Sequence, residues 1–119
     1  MMNDLIVGEE INTLQNNKVY HKTVTIEIID MQEPQMKNLK EGDSIPLFKY
    51  HVRDGWGNDG FIISWRKHIN YKVGDILQLS SFYVKEFMGE KQLIVSDKTI
   101  YNKIESNGKF LKEKSNRVI

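Results

Sequence analysis

One short stretch of the chain combines residue types that suit contact with nucleic acid. Ser81 to Phe87 reads Ser-Phe-Tyr-Val-Lys-Glu-Phe. Alternate side chains of a β-strand share a face, so Tyr83, Lys85 and Phe87 should lie together, opposite Phe82. Two aromatic rings flanking a lysine offer a stacking platform beside a phosphate contact, the combination that single-stranded nucleic acid needs. The alternative is a purely structural strand in which a bulge turns Phe87 into the core.

Two tryptophans and several basic residues extend this candidate site. Trp65 ends an apolar run and is followed by Arg66 and Lys67. It either closes one end of a core or stacks a base beside these cations, and we favour stacking. Trp56, in a glycine-rich turn, is either an exposed contact or a plug under the loop. The predicted nucleic-acid-binding residues are Trp65, Tyr83, Phe87, Lys85, Arg53, Arg66, Lys67 and Trp56.

Catalytic and metal chemistry find little support in the sequence. His21, His51 and His68 are far apart, and there is no cysteine to complete a zinc site. Several aspartates adjoin glycines, where their short side chains serve turns. The turn from Gly55 to Gly60 fits neither a phosphate-binding loop nor a dinucleotide fingerprint, because no Lys-Ser/Thr pair follows it. We therefore expect no enzyme, no metal and no cofactor.

Length and charge narrow the class of protein further. A chain of 119 residues suits one domain. Its formal net charge of +1 argues against a protein that binds polyanions through overall positive charge. No apolar run approaches the ~20 residues that cross a bilayer, and no signal peptide is evident. We expect an intracellular protein without a membrane partner. Lys103 to Ile119 is enriched in basic residues, which either contact phosphates or remain solvated.

The strand and turn signals together predict a small closed or partly closed β-barrel. The predicted strands are Thr23–Asp30, Phe48–Arg53, Phe61–Arg66, Ile76–Phe87 and Gln92–Val95. Between them, Met31–Pro46 is predicted to be a mobile binding loop or a partly ordered flap, and the turn from Gly55 to Gly60 to be mobile as well. Near-helical spacing of apolar residues predicts a short amphipathic element over Ile100–Leu111 that packs on the barrel or on a partner.

The order of several short motifs resembles the OB-fold of single-stranded DNA-binding proteins. These motifs are Val52-Arg53-Asp54-Gly55, an apolar strand ending in Trp65, Gly74-Asp75-Ile76-Leu77-Gln78-Leu79 and Phe87-Met88-Gly89-Glu90-Lys91-Gln92-Leu93. Similar families are replication protein A, small single-OB sensors of single-stranded DNA and telomere-end binding proteins. The likeness covers Thr23 to Ile104. Two departures are a longer turn after Asp54 and a much reduced helix between the third and fourth strands.

The resemblance implies an all-β, five-stranded OB-fold Greek-key barrel with a short C-terminal helical or irregular extension. Residues 1–22 would be an N-terminal extension, 23–104 the OB-fold domain and 105–119 a basic C-terminal tail. Bases stack on strand aromatics in those families, and the matching positions here are Trp65, Tyr83 and Phe87.

The implied function is non-enzymatic binding of single-stranded DNA, as a subunit of a replication, repair or telomere-maintenance complex with other OB-fold subunits or partners. Such a protein would be nuclear in a eukaryote and cytoplasmic otherwise. Two alternatives stay open. One is a structural OB subunit that scaffolds a complex with little DNA contact, and the other is an RNA-binding OB module.

Overall fold

The computed structural model describes residues 9–104, which form one curled sheet of nine β-strands and a single turn of 3-10 helix at Ile11–Thr13. The strands are β1 (Lys18–Tyr20), β2 (Val24–Met31), β3 (Gln35–Asn38), β4 (Ser44–Asp54), β5 (Asp59–Trp65), β6 (Ile76–Ser80), β7 (Phe82–Phe87), β8 (Glu90–Val95) and β9 (Ile100–Ile104). The prediction of an all-β barrel is confirmed, with more strands than the five expected. Within the described residues no helix is long and apolar enough to cross a bilayer.

The sheet closes on itself at Ser81, the residue between β6 and β7. Ser81 adopts a φ of 63°, a left-handed conformation that breaks an otherwise continuous extended run. Before the bend, β6 pairs with β2, and after it β7 pairs with β8. The predicted single strand Ile76–Phe87 is therefore two strands at an angle. This bend joins the two ends of the strand order β7-β8-β5-β4-β2-β6, while β1 and β9 lie outside it.

Alternation along the strands separates a core from an outer face. From Phe48 to Asp54 in β4 and from Gly60 to Ser64 in β5, the even-numbered residues, such as Tyr50 and Ile62, point inward and are buried. The antiparallel pair β4–β5 and the parallel pair β5–β8 keep this alternation in register, since Ile62 lies opposite both Tyr50 and Leu93. Residues of the other parity, including Lys49 and Ile63, therefore share the outer face of adjacent strands.

Two predicted irregular segments are regular in the structure. Within Met31–Pro46, β3 pairs with the start of β4, so this connection is an ordered flap rather than a loop without structure. Ile100–Ile104 forms strand β9 along β6, so the predicted helical element is wrong over these residues. The rest of that element, to Leu111, and the predicted tail lie outside the described residues.

A buried carboxylate ties the N-terminal segment to the β4–β5 turn. Asp54, 1% exposed, accepts hydrogen bonds from the backbone N–H groups of Ile11 (2.8 Å), Trp56 (2.9 Å) and Asn58 (2.8 Å). The turn predicted to be mobile is thus hydrogen-bonded to a fixed anion. Ile11 and Leu14 are completely or almost completely buried and belong to the core cluster, although the sequence indicated no role for them.

Replacing Ile11 by alanine should destabilise the fold by ~2–5 kcal/mol, because the cavity it leaves lies in the packed core. Gln15→Ala, at an exposed position of the same segment, is the control and should change the free energy of unfolding by less than ~0.5 kcal/mol. Urea unfolding followed by circular dichroism measures both changes. Equal stabilities for the two variants would show that the segment is a dispensable extension.

Candidate nucleic-acid interface

A groove of about 350 Å³ crosses the outer face of the barrel between the β3–β4 flap and the β7–β8 turn. We call it the outer groove. Its lining residues are Gln35, Lys37, Leu47, Lys49, Ile63, Trp65, Phe87, Met88, Glu90, Gln92 and Ile94. The strand order β3-β4-β5-β8-β7 fixes the sequence of these side chains across the groove.

Two of the predicted aromatic residues are brought together by this arrangement. Trp65 is 41% exposed at the end of β5, and Phe87 is 60% exposed at the end of β7. Both line the outer groove, and neither belongs to the core cluster. The structural alternative for Phe87, burial through a bulge, does not occur. A tight turn with positive φ at Met88 (53°) and Gly89 (81°) follows Phe87 and returns the chain as β8.

Tyr83 and Lys85 share the outer face with Phe87, as the alternation along β7 predicts, but they stand beside the groove rather than in it. Tyr83 is half-buried and lies opposite Ile94 of β8. Its hydroxyl donates a 2.9 Å hydrogen bond to the side-chain oxygen of Asn17, and the Lys85 ammonium lies 3.4 Å from the same oxygen. Asn17 therefore holds both side chains along the outer edge of β7.

Arg53 lies on the outer face of β4 but is already engaged by carboxylates. Its Nε donates a 2.7 Å hydrogen bond to Asp59, and Glu27 lies directly across on β2. The hydrogen bond from Arg53 lowers the pKa of Asp59, and His51, 3.3 Å away, lowers it further. Burial raises the pKa of Glu27, and Arg53 partly offsets that effect. The charge of Arg53 is thus largely balanced within the protein.

The chain leaves the sheet directly after Trp65, at the two cationic residues Arg66 and Lys67. Arg66 has a φ of 78°, and its backbone N–H donates to the carbonyl of Pro46 at 2.8 Å, which turns the chain away from β5. Lys67 forms an exposed ion pair with Asp97 at 2.9 Å. Both line a shallow depression next to Trp65, together with Ser96 and Asp97. They extend the surface beyond the end of the groove.

Trp56 lies apart from the other predicted residues. It is 37% exposed in the turn before β5, whereas Trp65 ends that strand. Seven residues of extended chain separate these ends by about 20 Å. The structure therefore does not bring Trp56 to the outer groove.

The prediction missed the polar centre of the groove. The Lys49 ammonium contacts a carboxylate oxygen of Glu90 at 2.8 Å, and the Gln92 amide donates to that same oxygen at 2.7 Å. The ammonium also lies 4.5 Å from the centroid of the Phe61 ring. In the sequence, Lys49, His51 and Arg53 alternate with apolar residues along Phe48–Arg53, which showed Lys49 only as part of a basic strand face. Its partners come from β5 and β8, and only the strand pairing shows that they are adjacent.

Metal ligands are not concentrated anywhere in residues 9–104, where no group of three histidine, aspartate or glutamate side chains could hold an ion. Every buried side-chain nitrogen or oxygen atom in this part of the chain has a hydrogen-bond partner. The polar groups that could contact a ligand are therefore those exposed on the strands and in the outer groove.

The closed barrel with its parallel β5–β8 pair is an OB-fold, as comparison with solved structures shows. The OB domain of Ta0387 from Thermoplasma acidophilum matches with a TM-score of 0.65 at 15% identity, covering 82% of this chain and 86% of that one. The second OB-fold domain of replication protein A from Methanococcus maripaludis matches with a TM-score of 0.61 at 22% identity, covering 82% and 94%. The predicted OB-fold is confirmed.

A third similar structure contains nucleic acid. Schizosaccharomyces pombe Pot1pC bound to single-stranded DNA matches with a TM-score of 0.58 at 12% identity, covering 94% of this chain and 96% of that one. No protein-family model and no curated protein sequence matches the chain. The likeness is thus one of fold.

Arg53→Gln should raise the pKa of Asp59 toward its ordinary value, because it removes the main group that lowers it. A depressed carboxyl pKa stabilises the fold above the unfolded-state pKa of ~4, and this contribution is lost as the pH falls through the lower folded-state value. Carboxyl chemical shifts of Asp59 followed by NMR measure the change. An unchanged Asp59 pKa in the variant would show that Arg53 is not the group that lowers it.

Proposed function

We propose that this protein binds single-stranded DNA in the outer groove and catalyses no reaction on it. The observation that carries the proposal is the exposure of Trp65 and Phe87 in one groove of an OB-fold. Contiguous exposed apolar surface often marks an interaction site, and aromatic rings on a strand face stack bases of any identity. The likeness to a Pot1 domain solved with single-stranded DNA supports this choice of ligand.

Cations at both margins of the groove suit a phosphate backbone. Lys37 lines one margin on β3, and Lys85 stands on β7 next to the other. Residues 9–104 carry equal numbers of basic and acidic side chains, so the attraction depends on this placement rather than on net charge. Arg66 and Lys67 would continue the path of the backbone past Trp65. In this arrangement Tyr83 contributes a secondary stacking surface, while Arg53 and Trp56 contribute little.

The setting we propose is a replication, repair or telomere-maintenance complex inside the cell, with other OB-fold subunits as partners. Its support is structural likeness to a replication factor A related protein from Methanobacterium thermoautotrophicum, with a TM-score of 0.61 at 15% identity over 82% of this chain and 90% of that one. Titration with fluorescent single-stranded DNA, double-stranded DNA and RNA at two salt concentrations tests the choice of ligand. Preference for RNA, or no binding to any of them, would refute the proposal.

Alanine at Trp65 or Phe87 should each weaken single-strand binding by ~1–3 kcal/mol, because each change removes a stacking surface. Trp56→Ala is the matched control, since this tryptophan is similarly exposed but lies at the other end of β5. It should leave the affinity unchanged. Fluorescence anisotropy measures binding, and thermal melting of the same variants separates binding from stability.

Should the Trp65 and Phe87 variants melt early while their folded fraction binds normally, the two rings are structural. The protein would then be better described as a scaffold subunit with little DNA contact.

Lys85→Met should reduce the dependence of log affinity on log salt by ~0.7 for each phosphate that the lysine neutralises. Lys22→Met is the control, because this lysine is exposed near the N-terminal segment and pairs only loosely with Glu9, at 3.9 Å. Anisotropy titrations over a range of salt concentrations give both slopes. Equal slopes in the two variants would remove Lys85 from the binding path.

A further inference from the structure

The centre of the outer groove holds a fixed pattern of hydrogen-bonding groups. Glu90 is the hub, because one of its carboxylate oxygens accepts from both the Lys49 ammonium and the Gln92 amide. The side chains of Lys49 and Glu90 are 21% and 26% exposed, so both are held in place yet remain accessible from the groove. Lys49 is further restrained over the Phe61 ring.

A phosphate is a poor occupant for this position. A carboxylate and a phosphate about 4 Å apart repel by ~1 kcal/mol in water and by more in a partly desolvated groove. Lys49 cannot offset this repulsion fully, because its charge is already paired with Glu90. A strand lying in the groove would therefore turn its phosphates toward the margins and a base toward Glu90.

The donor and acceptor pattern selects among the bases. A carboxylate only accepts hydrogen bonds, and its two oxygens favour a partner with two adjacent N–H groups. Guanine presents such a pair, N1–H and N2–H, on its Watson–Crick edge, next to the acceptor O6. Thymine and uracil offer one N–H between two carbonyl oxygens, while adenine and cytosine place an acceptor nitrogen beside their amino group. An ammonium next to a carboxylate therefore complements guanine best.

We propose that Glu90, held by Lys49 and Gln92, recognises one guanine of a bound single strand, an inference that rests on the proposed function. The carboxylate oxygen other than the one bound by Lys49 and Gln92 accepts from guanine N1–H and N2–H, and Lys49 donates to O6. Phe87 lies directly opposite Glu90 in the β7–β8 pair and supplies a ring on which that base stacks. The groove is then selective at one position and tolerant of any base elsewhere.

The test compares short thymidine oligonucleotides that carry one central guanosine, inosine, cytidine or thymidine, with a fluorescent label. Guanosine should bind about 5-fold or more tightly than thymidine, in the range of a bidentate base contact. Inosine lacks the 2-amino group and should fall between them. Glu90→Gln should abolish the preference while thymidine binding stays equal or improves, because the repulsion is gone.

Glu86→Gln is the matched control, since this carboxylate is also ion-paired, to Lys91 at 3.1 Å, but does not line the groove. It should keep the guanosine preference. Lys49→Met should reduce the preference without removing it, and thermal melting confirms that each variant is folded.

Equal binding of guanosine and thymidine oligonucleotides, or a preference for cytidine, would overturn the inference and leave the proposed function intact. A preference that survives in Glu90→Gln would overturn the role of Glu90. Failure to bind any single strand would instead refute the proposed function itself.

Discussion

The bend at Ser81 is the constraint on which the rest of the structure depends. Without it, the extended run from Ile76 to Phe87 could follow only one neighbour, and the sheet would keep two open edges. With it, β6 pairs with β2 and β7 pairs with β8, so the sheet closes around one core. The carbonyl of Ser81 accepts a 2.7 Å hydrogen bond from the Thr99 hydroxyl, which supports the strained residue. Closing the barrel also fixes which set of alternate residues on each strand faces outward.

Alternate residues of each strand face outward, and these residues form the candidate binding surface on the barrel. On β7 the residues Tyr83, Lys85 and Phe87 point out while Phe82 and Val84 are buried. This division was predictable because it needs only the period of two along one strand. The barrel class was predictable for a similar reason, since each main strand carries its own alternation and ends at a turn residue.

The centre of the groove was not predictable in this way. Lys49, Glu90 and Phe61 belong to three strands, and their contacts depend on the register of two strand pairs. A shift of one residue in either pair would have moved them to different faces. Trp56 lies between two glycines and Trp65 between Ser64 and Arg66, and neither sequence context shows that the two rings lie at opposite ends of β5. Ile11 and Leu14 were missed because a single turn of 3-10 helix carries no periodic signal.

The hydrogen bond from Ile11 to Asp54 spans 43 positions of the chain, so it has consequences for how the molecule folds. Local hairpins such as β4–β5 close short loops and form early, whereas a contact of this separation forms only after a larger loss of chain entropy. The Asp54 carboxylate must therefore be positioned by the β4–β5 turn before Ile11 can dock beneath it. Until then, the end of the barrel next to Gly60 stays open to water. We expect this segment to dock after the β4–β5 hairpin has formed.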